Sequence, residues 1–71
     1  MTAQEFAKTN QTDADWVAAM GDRQITALAT GQRGTYSGFS ATVIRHYHNG
    51  MYEIRVPGGP ICVCCTAFVP A

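Results

Sequence analysis

The side chains able to do chemistry gather in the C-terminal half: His46, His48, Glu53, Cys62, Cys64 and Cys65. Thiolates and imidazoles suit zinc or copper. A histidine, a carboxylate and a thiol could instead serve as base, orienter and nucleophile. Spacing argues against both uses. If the cysteines lie on one strand, Cys62 and Cys64 share a face about 6.5 Å apart, and Cys65 points the other way. A disulfide needs Cβ atoms within about 4.5 Å, so no pair closes. The odd count fits reduced thiols, and with them a cytoplasmic setting. Structural zinc commonly takes its cysteines from turns rather than from mid-strand. The expectation is that the thiols pack as small apolar groups, with no metal, no cofactor and no catalytic residue.

What must position these residues is a β-meander. The segment from Phe39 to His48 (FSATVIRHYH) is rich in β-branched and aromatic residues. Asn49-Gly50 follows, the pair best suited to a tight hairpin turn. Met51 to Val56 (MYEIRV) returns, Pro57 to Pro60 (PGGP) makes a second turn, and Ile61 to Cys65 (ICVCC) gives a third strand. A two-residue Asn-Gly turn with no irregularity pairs Tyr47 with Tyr52, His46 with Glu53, Arg45 with Ile54 and Val43 with Val56. Val43, Tyr47, Tyr52, Ile54 and Val56 then face inward, with Arg45 the one charge among them. Counting Pro57–Pro60 as a four-residue loop adds Ile61, Val63 and Cys65 to that face. Cys62 falls beside Arg55 and Cys64 beside Glu53. In this register Glu53 separates the Cys64 thiol from the His46 imidazole by roughly two strand spacings, about 10 Å. A surface His46–Glu53 pair is the expected arrangement.

Upstream, RQITALA around Ile25 reads as a further strand and Thr30–Gly34 as a loop. Asp13 and Asp15 sit where a helix start favours acids, Trp16, Val17 and Met20 form one apolar stripe, and Gly21 supplies a stop. These features predict a helix over residues 13–20. Thr2 and Glu5 have capping-box spacing, but one turn at a chain end is marginal, and residues 1–11 are expected to be flexible. Residues 12–71 then form a single domain.

Composition narrows the functions. The 71 residues carry no net charge, and 14% are charged against 46% hydrophobic. Such a weak field does not steer a protein onto nucleic acid or an anionic membrane. No apolar stretch approaches the ~18 residues that cross a bilayer, and no signal peptide opens the chain.

The order strand, glycine-containing loop, long strand, hairpin, short strand and final Phe68-Val69 resembles the SH3-like small barrels, including KOW-type and Tudor-like modules. Within that group, Met20-Gly21-Asp22-Arg23, Gly38, Tyr52 and Ile61-Cys62-Val63-Cys64 resemble the plasmid-borne type II dihydrofolate reductases. The resemblance covers residues 20–69 and implies a mainly β, SH3-like five-stranded barrel behind a short N-terminal helix. An OB-like barrel is the alternative. The reductase activity is not implied. That family lines its pore with Val-Gln-Ile-Tyr and a lysine, whereas here Ile61-Cys62-Val63-Cys64 stands in that place and no lysine follows Lys8.

The function expected is therefore a non-enzymatic module acting through protein contacts, a partner's or its own. A homo-oligomer is expected, through an outer patch of Ile44, Met51, Cys62 and Cys64 or the strand edge at residues 61–65. Arg33 and Tyr36, on a long loop from Thr30 to Phe39, are further contact candidates. A small nucleic-acid-associated regulator is the alternative, which arginines gathered on one face would favour. An oligomeric enzyme with a site between subunits is a more remote one.

Overall fold

The computed structural model describes all 71 residues. Two short helices, α1 (Ala3–Ala7) and α2 (Ala14–Met20), precede five strands: β1 (Arg33–Tyr36), β2 (Phe39–His48), β3 (Met51–Val56), β4 (Gly59–Cys64) and β5 (Val69–Pro70). A 3₁₀ turn at Cys65–Ala67 joins β4 to β5. The strands form one antiparallel sheet in the order β4-β3-β2-β1-β5. No ladder joins β4 to β5, so the sheet is not closed into the barrel expected from the sequence. No helix is long and apolar enough to cross a membrane.

Two tight turns organise β1 to β3. Asn49-Gly50 sits at φ 52° and 73°, and Ser37-Gly38 at 50° and 82°. Both pairs thus have the double positive φ of a hairpin turn whose twist suits the flanking strands. The second turn follows from β1, which occupies Arg33–Tyr36 where the sequence predicts loop.

The β2–β3 register departs from simple alternation. His48 pairs with Met51 and His46 with Tyr52; Arg45 pairs with Glu53 and Val43 with Ile54, with irregularities at Tyr47 and Ile44. Each extra residue moves the ladder along by one. Consequently Tyr47, expected inside, is 56% exposed. Arg45 turns outward to Glu53, and His46 turns inward to Tyr52. The second bulge restores the parity, so Val43 still faces the core. The β3–β4 turn is also tighter than expected: Val56 pairs with Gly59, leaving only Pro57-Gly58 between the strands. Cys62 therefore lies opposite Glu53, not Arg55, and Cys64 opposite Met51, not Glu53.

The core consists of Ala41, Val43, Tyr52, Ile54, Val63, Cys65 and Phe68 from the sheet side, with Ala3, Phe6, Ile25 and Leu28 from the N-terminal third. The expected RQITALA strand is absent as a sheet member. Met1 and Ile25 exchange backbone hydrogen bonds at 3.1 and 2.6 Å, and the Leu28 N–H donates to the Tyr52 hydroxyl at 3.1 Å. Ile25 and Leu28 are buried three residues apart, a spacing that an alternating strand does not produce.

Residues 1–11, expected to be flexible, instead contain α1. Thr2 and Glu5 complete the capping box that their spacing suggests. Phe6 is fully buried, and its packing supplies what one isolated turn lacks. Helix α2 matches the expected 13–20 segment and lays Trp16, Val17 and Met20 against the core.

Candidate functional site

The outer face of the sheet and its β4 edge carry most of the residues singled out from the sequence. The rows follow from the ladders. Arg33, Thr42, Arg55 and Pro60 form one row, and Arg45, Glu53 and Cys62 the next. Met51 and Cys64 begin the third. Arg33, Arg55, Cys62 and Cys64 are exposed, while Met51 and Ile44 are half-buried, Ile44 inside its bulge. Tyr36 stands apart: it closes the Ser37-Gly38 turn opposite Phe39 and packs against the margin of the core. Met51, Cys62 and Cys64 of the expected patch thus share the outer face, while Ile44 sits in the bulge between Val43 and Arg45. Arg33 lies on the same face but two strands away from β3, and Tyr36 stands outside it.

Arg45 is held by Glu53 at 2.8 Å and lies 5.8 Å from the Tyr47 ring centroid. The Glu53 hydrogen bond and charge push the Arg45 guanidinium above its ordinary value. Arg33, Arg45, Arg55 and Tyr47 therefore share a solvent face. No simple alternation reveals this, since it depends on the bulges.

The thiols occupy three different surroundings. Cys62 is exposed. Cys64 is exposed and accepts a hydrogen bond from the Thr66 hydroxyl at 3.3 Å, with the Thr66 backbone N–H assisting. These two donors hold its thiol below the usual range. Cys65 is buried, and that burial pushes its thiol up. The row of His46, Glu53 and Cys64 is not assembled, because His46 lies on the core side and Glu53 is engaged by Arg45. No group of three or more His, Cys, Asp and Glu side chains comes together in a way that could hold a metal ion.

The β4 edge follows from its turn. Val56 and Gly59 close a two-residue hairpin and so form a hydrogen-bonded pair, and pairs alternate from there. Ile61 and Val63 direct their backbone groups to β3. Pro60, Cys62 and Cys64 direct theirs outward, but Pro60 has no N–H to give and the Cys64 carbonyl also opens the 3₁₀ turn that follows. On the core side of this edge Ile61 remains 38% exposed, beside fully buried Ile54.

An open cleft lies between the helices, bordered by Ala7, Ala14, Val17, Ala18 and Asp22 among others. Thr2, Gln4 and Thr12 also line it.

Comparison with known proteins finds no matching family model, no matching curated protein and no matching solved structure.

Proposed function

We propose that this chain is a non-enzymatic interaction module of SH3-like topology that self-associates through the edge of β4. The strand order β4-β3-β2-β1-β5, with a 3₁₀ turn before the last strand, supports the SH3-like reading over the OB-like one. The observation that carries the function is the edge itself. Cys62 aims an unshared backbone donor and acceptor outward, Cys64 adds an unshared donor beside a carbonyl that also opens the 3₁₀ turn, and Ile61 leaves the margin of the core uncovered. A second copy satisfies both needs in an antiparallel pairing about a two-fold axis at Val63. Cys62 of each copy then faces Cys64 of the other in a hydrogen-bonded pair, with Cα atoms about 5.5 Å apart. That separation lies within disulfide range.

Trapping tests this directly. Oxidised glutathione takes two electrons and two protons from a facing Cys62–Cys64 thiol pair, which becomes a disulfide as two glutathione thiols are released. Peptide mapping of the covalent dimer is expected to find Cys62 joined to Cys64. A chain that remains monomeric by light scattering at micromolar concentrations, and yields only glutathionylated monomer, would refute the reading.

One observation favours a second reading. Arg33, Arg45 and Arg55 collect on the outer face with exposed Tyr47, an arrangement suited to phosphates and a stacked base. Only Arg33 and Arg55 act there without an acidic partner, so this reading ranks below self-association. Salt-dependent binding of a labelled single-stranded oligonucleotide, lost in Arg33→Ala/Arg55→Ala, would reverse the order.

A further inference from the structure

The N-terminal arm meets the sheet at the end of β2, through its two histidines and the turn beyond them. His46 is enclosed edge-on by Phe6 of α1 and Tyr52 of β3, with ring centroids 5.3 and 5.0 Å away. Its Nε2 is buried and has no hydrogen-bond partner. His48 is placed differently. Its Nε2 reaches Asp13, at the start of α2, at 3.1 Å, and Asn49 joins the same carboxylate at 3.0 Å. One histidine is therefore wedged under α1 and the other is clasped at the start of α2.

We infer that the arm is an acid-released cap on the sheet, with His46 as the trigger and Asp13 as the hinge that holds. The trigger works by solvation. A neutral imidazole tolerates an unpartnered Nε2, but an imidazolium there buries a charged N–H with nothing to accept it. From α1 the ring meets only Phe6, since Glu5 is folded back onto Thr2. From β3 it meets Tyr52, and Glu53 is taken by Arg45. From the start of α2, Asp13 grips His48 and Asn49 instead. The one charge-bearing neighbour acting on His46 is His48.

Burial first, and His48 second, lower the His46 value from its ordinary 6.5. The capped state therefore binds fewer protons than the released state. Its full stability holds above pH 6.5 and declines as the pH falls toward the depressed value. Asp13 does not let go in this window. Asn49 first, and His48 second, hold its carboxylate below the usual range, so it stays charged while His46 titrates. Acid thus lifts α1 while the start of α2 remains pinned.

The test follows amide exchange by NMR and Trp16 emission from neutral pH down to the carboxylate range, about pH 4. Trp16 reports on the cap because its ring lies 6.1 Å from that of Phe6. In the wild type, amides of residues 3–10 are expected to lose protection and Trp16 emission to shift red, while Val43 and Ile54 stay protected. His46→Phe keeps the wedge without the titration and is expected to abolish the transition. His48→Gln is expected to retain it. The same transition in His46→Phe, a wild-type cap protected throughout, or sheet amides melting in the same step would each overturn the proposal. Ring-carbon resonances of His46 supply a reading that needs no variant, and titration at or above 6.5 would also overturn it.

Discussion

The Asp13 N–H donates to the Asn49 side-chain oxygen at 2.7 Å, and the Asn49 amide donates back to the Asp13 carboxylate at 3.0 Å. This reciprocal pair ties the start of α2 to the β2–β3 turn across 36 positions of sequence. Asn49 also adopts φ 52°. One residue thus serves the turn and the clasp.

Substitutions separate these roles. Asn49→Gly keeps the positive φ and loses the clasp, at about 0.5–1.5 kcal/mol for each net hydrogen bond removed. Asn49→Ala also keeps a Cβ in left-handed backbone without the local side-chain bonding that lets asparagine tolerate it, costing about 1–2 kcal/mol more than the glycine variant. Urea unfolding is expected to rank wild type above Asn49→Gly above Asn49→Ala, with unchanged slopes. Equal midpoints for the two variants would mean that the turn relaxes to another form.

Helix α1 gives the second prediction. Phe6 is fully buried between the sheet and Trp16, so Phe6→Ala is expected to cost about 3–5 kcal/mol. That is a large share of the stability of a small domain. Removing residues 1–11 should be at least as damaging. Thermal melts that barely move in either variant would return this segment to the flexible end first expected.

The legible parts of this fold are those set by short-range chemistry. Asn49-Gly50 fixes the hairpin, and Val43, Tyr52, Ile54, Val63 and Cys65 face inward as their alternation implies. Tyr47 and His46 exchange faces because of the Tyr47 bulge. Both bulged positions carry good strand formers, Ile44 and Tyr47, so no glycine or proline marks either shift. The Thr2–Glu5 spacing announces a cap, yet the helix persists because Phe6 finds a distant pocket, which no local pattern records. Ile25 and Leu28 are held in place by hydrogen bonds to Met1 and to the Tyr52 hydroxyl, partners 24 positions away in each case. For the candidate surface, the alternation of β3 and β4 is enough to put Met51, Cys62 and Cys64 on one outer face, while Ile44 falls in a bulge that alternation does not reveal. The gathering of the arginines beside Tyr47 was not, since it too depends on the bulges.

Gly34 marks where β1 is squeezed against the chain end. A Cβ built there would fall inside the contact distance of the Val69 carbonyl oxygen and the Phe68 ring. Neither neighbour can yield easily: Phe68 is a core residue, and Val69 belongs to the two-residue β5. Gly34→Ala is expected to detach β5, at the upper end of the about 1–3 kcal/mol typical of overpacked sites. Loss of amide protection at Ala71, whose N–H donates to the Arg33 carbonyl at 2.9 Å, would register the detachment.

The thiols differ enough to be told apart by rate. Cys64 is lowered by Thr66 and exposed, so it holds more thiolate near neutral pH than an ordinary cysteine. Iodoacetamide at pH 7–8 is expected to label Cys64 before Cys62, and Cys65 only after unfolding. Thr66→Val removes the hydroxyl donor and should slow Cys64 while leaving Cys62 unchanged. Preferential labelling of Cys65 in the native state would contradict its burial.

Proline placement tests the β4 edge residue by residue. Proline removes one backbone donor, so its effect depends on which way that donor points. At Cys62 the N–H is directed away from β3, and Cys62→Pro should leave the β3–β4 ladder intact. At Val63, opposite Tyr52, the N–H is directed into the ladder, and Val63→Pro should break it and unbury the core. If the edge joins two copies, Cys62→Pro also deletes a donor from the shared ladder. The expected result is a folded Cys62→Pro chain of monomer mass by light scattering, beside a wild-type dimer and an unfolded Val63→Pro chain. A Cys62→Pro chain that stays dimeric would place the interface elsewhere, with the outer face around Ile44 and Met51 next to be tested. A Cys62→Pro chain that unfolds while Val63→Pro folds would show that the alternation along β4 runs the other way, with Cys62 bonded to β3.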